Sequence, residues 1–148
     1  MPLKDSELGI SNNCIARYLA LEVYVASDLA WQLKTNKTLW ERWMDFGITP
    51  GDEFEIEFHF YTSKEKKADA LIAGLEKAGL SARKEVSRTL FVLKGWSITV
   101  PISQPWTLDV LNDQTRRFCR LADMLHLVFD GCGAYMSWEG QEPPKHSS

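Results

Sequence analysis

Histidine and cysteine are the scarcest side chains here that could do chemistry, three of each in 148 residues. His59 lies in Glu53-Phe54-Glu55-Ile56-Glu57-Phe58-His59-Phe60-Tyr61. Residues i and i+2 of a strand share a face, so His59 with Glu57 or Glu55 has the spacing of a general base or of two metal ligands. A metal needs a third ligand, and His126, the other internal histidine, falls near the end of a predicted helix, where a cation complements the macrodipole. No metal and no cofactor is expected. Cys132 stands between Gly131 and Gly133 beside Asp130. A neighbouring carboxylate raises a thiol's pKa, which works against a nucleophile. A small residue filling a strand position is the favoured reading. Asp130-Gly131-Cys132-Gly133 also lacks the lysine and the following helix of a phosphate loop; its glycines fit a bulge or a close backbone approach. No catalytic residue emerges, and the chain reads as a non-enzyme.

The elements that must position these residues follow from periodicity. Phe54, Ile56, Phe58 and Phe60 alternate with Glu53, Glu55, Glu57, His59 and Tyr61, which predicts a strand with one buried and one polar face. Thr62, three before Glu65, has capping-box spacing for a helix whose stripe is Ala68, Leu71, Ile72, Leu75 and Ala78, with Gly79 as its stop. Leu80 to Val86 predicts a short strand and Ser87 to Thr89 a turn. Leu90 to Val100 predicts a long strand, with a bulge at Gly95 and its pairing ended by Pro101 and Pro105. Thr107 opens a second helix, with Leu111, Phe118, Leu121, Ala122 and Leu125 on one side and Arg116, Arg117 and Arg120 as a solvated run. Leu127 to Met136 holds a glycine-broken last strand.

The order strand-helix-strand-strand-helix-strand is the split βαβ pattern. It predicts an α+β fold, a ferredoxin-like βαββαβ sandwich with a four-stranded antiparallel sheet and two helices on one face. Right-handed crossovers place the first and third strands at its centre. Before it lies a helical extension. Ile15, Leu19, Val23 and Ala26 have helical spacing, and Leu39, Trp40, Trp43 and Met44 form a clearer helix stopped by Gly47. The extension is expected at an edge or on the sheet's free face. The expected divisions are a loose arm over 1–13, the extension over 14–50, the main domain over 51–138 and a disordered tail over 139–148.

Composition bounds the function. The 17 basic and 20 acidic residues give a formal net charge of −3, with 45% hydrophobic residues and six tryptophans, so a disordered chain is excluded. Broad phosphate-backbone binding draws on clustered Lys and Arg and is disfavoured, so no direct nucleic-acid contact is expected. Cys14, Cys119 and Cys132 have no CxxC spacing and read as reduced thiols. With no leader-like start and no bilayer-length apolar run, a cytoplasmic protein without a membrane partner is expected. Glutamates on the polar strand face repel phosphate, which also turns that face away from RNA and towards protein.

Glu55-Ile56-Glu57-Phe58-His59-Phe60-Tyr61 and Phe129-Asp130-Gly131-Cys132-Gly133-Ala134-Tyr135 together resemble the bacterial regulator of ribonuclease E activity B (RraB) family. The second stretch is similar to the family's Tyr-Asp-Gly-Trp-Gly signature, with Phe129 and Cys132 at its aromatic positions. The resemblance, over roughly Trp40 to Met136, implies a ferredoxin-like domain and a non-catalytic protein that binds ribonuclease E and lowers its cleavage of RNA. The interaction residues expected on this reading are Glu55, Glu57, His59, Tyr61, Asp130, Gly131, Gly133 and Tyr135. The alternative is a small interaction module of unknown partner, homodimeric through its sheet, with no ribonuclease role. An exposed tryptophan would be a natural interface anchor in either case.

Overall fold

The computed structural model describes residues 28–89 and 93–136; the expected arm, the Ile15 to Ala26 periodicity and the tail lie outside them. The elements are α1 (Leu29–Asp45), β1 (Glu53–Thr62), α2 (Glu65–Lys77), β2 (Arg83–Thr89), β3 (Leu93–Pro105), α3 (Leu108–Leu125) and β4 (Val128–Gly133). Among the described residues they make an α+β fold of three helices and one four-stranded antiparallel sheet, ordered β2-β3-β1-β4. The first and third strands are central, as right-handed crossovers require.

Alternation in β1 sends Ile56, Phe58 and Phe60 into the core, each at most 1% exposed. Phe118 of α3 meets the Phe58 and Phe60 rings at 5.1 and 5.2 Å, and Phe129 of β4 closes on Phe60 at 5.2 Å. Ala68, Leu71 and Leu75 of α2 belong to the same apolar cluster, so α2 and α3 lie on one face of the sheet. Burying each such aromatic side chain stabilises the fold by about 1.5–3 kcal/mol. The expected cap of α3 is present: Thr107 Oγ1 accepts from Val110 N at 3.2 Å.

Four local expectations are corrected. Thr62 does not cap α2. Pairing with Trp96 holds Thr62 extended at the end of β1, and Lys64 takes the cap position without a side-chain bond. The turn expected at Ser87 to Thr89 is strand, because β2 pairs with β3 through Thr89↔Leu93. Gly95 makes no bulge and sits in regular register opposite Ser87. Pro101 and Pro105 do not end the pairing but face Glu57 and Glu53 of β1. They are tolerated because β2 stops at Arg83↔Thr99, beyond which β3 has an open side that needs no donor. The bulge lies instead in β4. Its register on β1 jumps between His59↔Gly131 and Phe60↔Phe129, leaving Asp130 as the extra residue and Gly131 at φ +104°.

The described part of the extension, α1, packs at the β4 edge but on the helix side, not on the free face. Its Trp40 and Trp43 need an apolar partner, and Phe54 offers one on the core side, with ring centroids at 6.4 and 5.8 Å.

Candidate functional site

The same alternation that buries one face of β1 turns Glu55, Glu57, His59 and Tyr61 to the other. Cross-strand partners share a face, so the register defines what surrounds them. Glu57 lies between Pro101 of β3 and Gly133 of β4, His59 between Thr99 and Gly131, and Tyr61 between Ser97 and Val128. From β2, Arg83 opposite Thr99 and Glu85 opposite Ser97 complete the face. Arg83 Nη2 donates to Glu57 Oε2 at 3.1 Å and its Nε to Glu85 Oε1 at 3.2 Å. These bonds, that to Glu57 first, raise the guanidinium's pKa. The Arg83 side chain is half exposed, so water and salt screen the pair strongly.

Glu55, Glu57, His59, Gly131 and Gly133 are therefore brought together on the open face. His59 is half-buried, its Nδ1 sharing a hydrogen bond with Thr99 Oγ1 at 3.3 Å. Tyr61 is only 4% exposed, its phenol lying where a side chain at Gly95 would stand. This close approach, not a bulge, explains the glycine. Asp130 is the bulge residue, half-buried, and Tyr135, just past β4, is 95% exposed. Arg83 and Glu85 escaped the sequence reading. The Arg-Lys-Glu-Val-Ser alternation of 83–87 carries the signal, but only register shows that their side meets Glu57.

The cysteines of the described residues lie off this face. Cys132, opposite Phe58, points to the helix side and donates to Asn36 Oδ1 at 3.6 Å. Burial pushes its thiol pKa up to about 12. Burial, then Asp123 and Asp28, raises that of Cys119 to about 11. Both stay protonated near neutral pH and are poor nucleophiles. Among the described residues no group of three or more His, Cys, Asp or Glu could hold a metal ion. His126 caps α3 in the left-handed conformation, and its carbonyl accepts from Lys67 Nζ at 3.0 Å.

Comparison with known protein families matches residues 34–134 to the regulator of ribonuclease activity B family, RraB. The chain belongs to that family. The RraB match runs from within α1 to just past β4 and so takes in the whole sheet, α2, α3 and the tryptophans that dock α1. It agrees with the resemblance read from the two sequence stretches. The RraB family is one of regulators of ribonuclease activity. No curated protein matches the chain. Among the described residues, no helix is long and apolar enough to cross a membrane.

Proposed function

We propose that this RraB member lowers RNA cleavage by binding the nuclease, a ribonuclease of the E type, as a non-catalytic protein partner through the open face of its sheet. Membership of the family carries this reading. The face supports it: among the described residues, carboxylates of Glu53, Glu55, Glu57 and Glu85 stand against the guanidinium of Arg83, a balance that repels phosphate and favours a cationic protein surface. Glu55, Glu57, His59, Gly131 and Gly133 would make the contact, with Asp130 and Tyr135 at its margin and Tyr61 supporting it from beneath. The cytoplasm is the compartment this partner implies.

We also assign the fold as ferredoxin-like. Read from the other edge, the strand order is β4-β1-β3-β2, with α2 and α3 as the two crossovers on one face. On this assignment residues 51–138 form the domain and 14–50 an extension docked to it through α1.

The test is titration of purified ribonuclease E with the chain, read by association and by cleavage of a structured RNA. Saturable binding at micromolar protein with slower cleavage is expected, both lost in Glu55→Lys/Glu57→Lys. No association and unchanged cleavage would overturn the proposal.

A further inference from the structure

The buried face of α1 changes character along its length. Its buried residues are Gln32, Asn36, Trp40 and Trp43, two amides followed by two indoles. Over the same first turns the outward side is mixed: Leu29 is 36% and Trp31 50% exposed, beside exposed Lys34 and Lys37. The first half of the helix thus buries polar side chains where an amphipathic helix buries apolar ones, whereas the second half follows the usual pattern.

The amides clasp α3 and the outer edge of β4. Asn36 Nδ2 donates to Thr115 Oγ1 at 2.8 Å and to Asn112 Oδ1 at 3.1 Å, and Asn36 Oδ1 accepts from Cys132 Sγ. Gln32 Nε2 donates to the Phe129 carbonyl at 3.3 Å. Its Oε1 is buried without a hydrogen-bond partner, and a Cβ on Gly131 would sit 3.5 Å from it. Gln32 therefore serves β4 as one peptide group of a neighbouring strand would, satisfying the carbonyl while its own acceptor goes unused.

We propose that α1 is a two-part latch: Trp40 and Trp43 anchor it, while the half bearing Gln32 and Asn36 opens and closes over the β4 edge. The physical reason is what each half loses on release. Amides lifted from the seam exchange protein partners for water at little net cost, and Gln32 Oε1 gains a partner it lacks when closed. Indoles lifted from Phe54 would expose large apolar surfaces, so that half stays down. Opening uncovers the Phe129 carbonyl and the Cys132 thiol without disturbing the core of Phe58, Phe60 and Phe118. The latch does not depend on the identity of the partner.

Cys132 is the built-in reporter. The wild-type full chain is treated with iodoacetamide at about pH 8, where a released thiol is partly ionised, and labelled peptides are resolved by mass spectrometry across low denaturant. Hydrogen exchange is followed in the same samples. Cys132 labelling and exchange over 29–37 should share a weak denaturant dependence and run at least about tenfold faster than exchange over 38–45 and in β1, the signature of local opening. Asn36→Ala should speed Cys132 labelling by about tenfold and leave its denaturant dependence weak. If Cys132 labels with the denaturant dependence of β1, in the wild type or in the variant, α1 opens only when the whole domain unfolds and the latch is wrong. Should Asn36→Ala fail to fold, the wild-type comparison decides alone.

Discussion

The two faces of β1 come from one ten-residue strand and are built to opposite ends. On the helix side Ile56, Phe58 and Phe60 are almost wholly buried among rings from α3, β3–α3 and β4. On the other, Glu53 and Glu55 are exposed and Glu57 is tied only to a half-exposed arginine. Burial makes the first face sensitive to every methylene; solvation makes the second tolerant, so its charges are free to be set by a partner rather than by folding. Tyr61 complicates this division, being buried on the polar side over Gly95.

The largest expected effect lies on the core face. Phe58→Ala removes a fully buried ring that touches Trp106, Phe118 and Phe129. It should cost about 3–5 kcal/mol in chemical denaturation. Glu55→Ala, three residues away on the exposed side, should change stability by no more than about 0.5 kcal/mol. Comparable losses from the two would abolish the distinction between the faces.

Next in size is Gly95→Ala, which puts a methyl where the Tyr61 phenol lies and should cost about 1–3 kcal/mol through overpacking. In a Tyr61→Ala background the same substitution should cost far less, and that coupling is the measurement. Additive effects would mean that Tyr61 does not pack on Gly95.

The division between faces was legible in the sequence because period two shows directly in Glu53 to Tyr61, and the order of elements followed from similar local signals at Thr107 and Gly79. What was not legible depends on partners distant in the chain. Gly95 looks like a bulge until Tyr61, more than thirty residues earlier, is laid on it. Pro101 looks like a stop until β2 is known to end opposite Thr99. Arg83 joins the candidate face only through register, and Gln32 and Asn36 look like ordinary surface amides until β4 and α3 meet them.

The helix side also holds the thiols of Cys119 and Cys132, which predict a pH dependence of stability. Cys119 and Cys132 have folded pKa values raised to about 11 and about 12, above the ordinary value of 9.0. Above pH 9.0 the unfolded chain releases protons that the folded chain retains, so alkali favours unfolding. The contribution is complete below the ordinary thiol pKa and is lost as pH climbs towards the folded values. Each thiol should weaken the fold by at most about 1.4 kcal/mol per pH unit there. Cys132→Ala should flatten the alkaline slope of stability measured by urea denaturation; an unchanged slope would mean that Cys132 is already solvated.

The smallest effect is expected where the open face is most charged. Arg83 bridges Glu57 and Glu85 in water-accessible geometry, where the attraction is screened and ordering two long side chains offsets it. Arg83→Ala should leave the thermal midpoint within error of the parent in both low and high salt. Its consequence should appear in binding: with the guanidinium gone, the Glu57 and Glu85 carboxylates are unneutralised, and association with a cationic partner should strengthen at low ionic strength and converge on the parent's as salt rises. A weaker low-salt association would show instead that Arg83 itself touches the partner, and the open face would then be read as a mixed-charge surface rather than an acidic one.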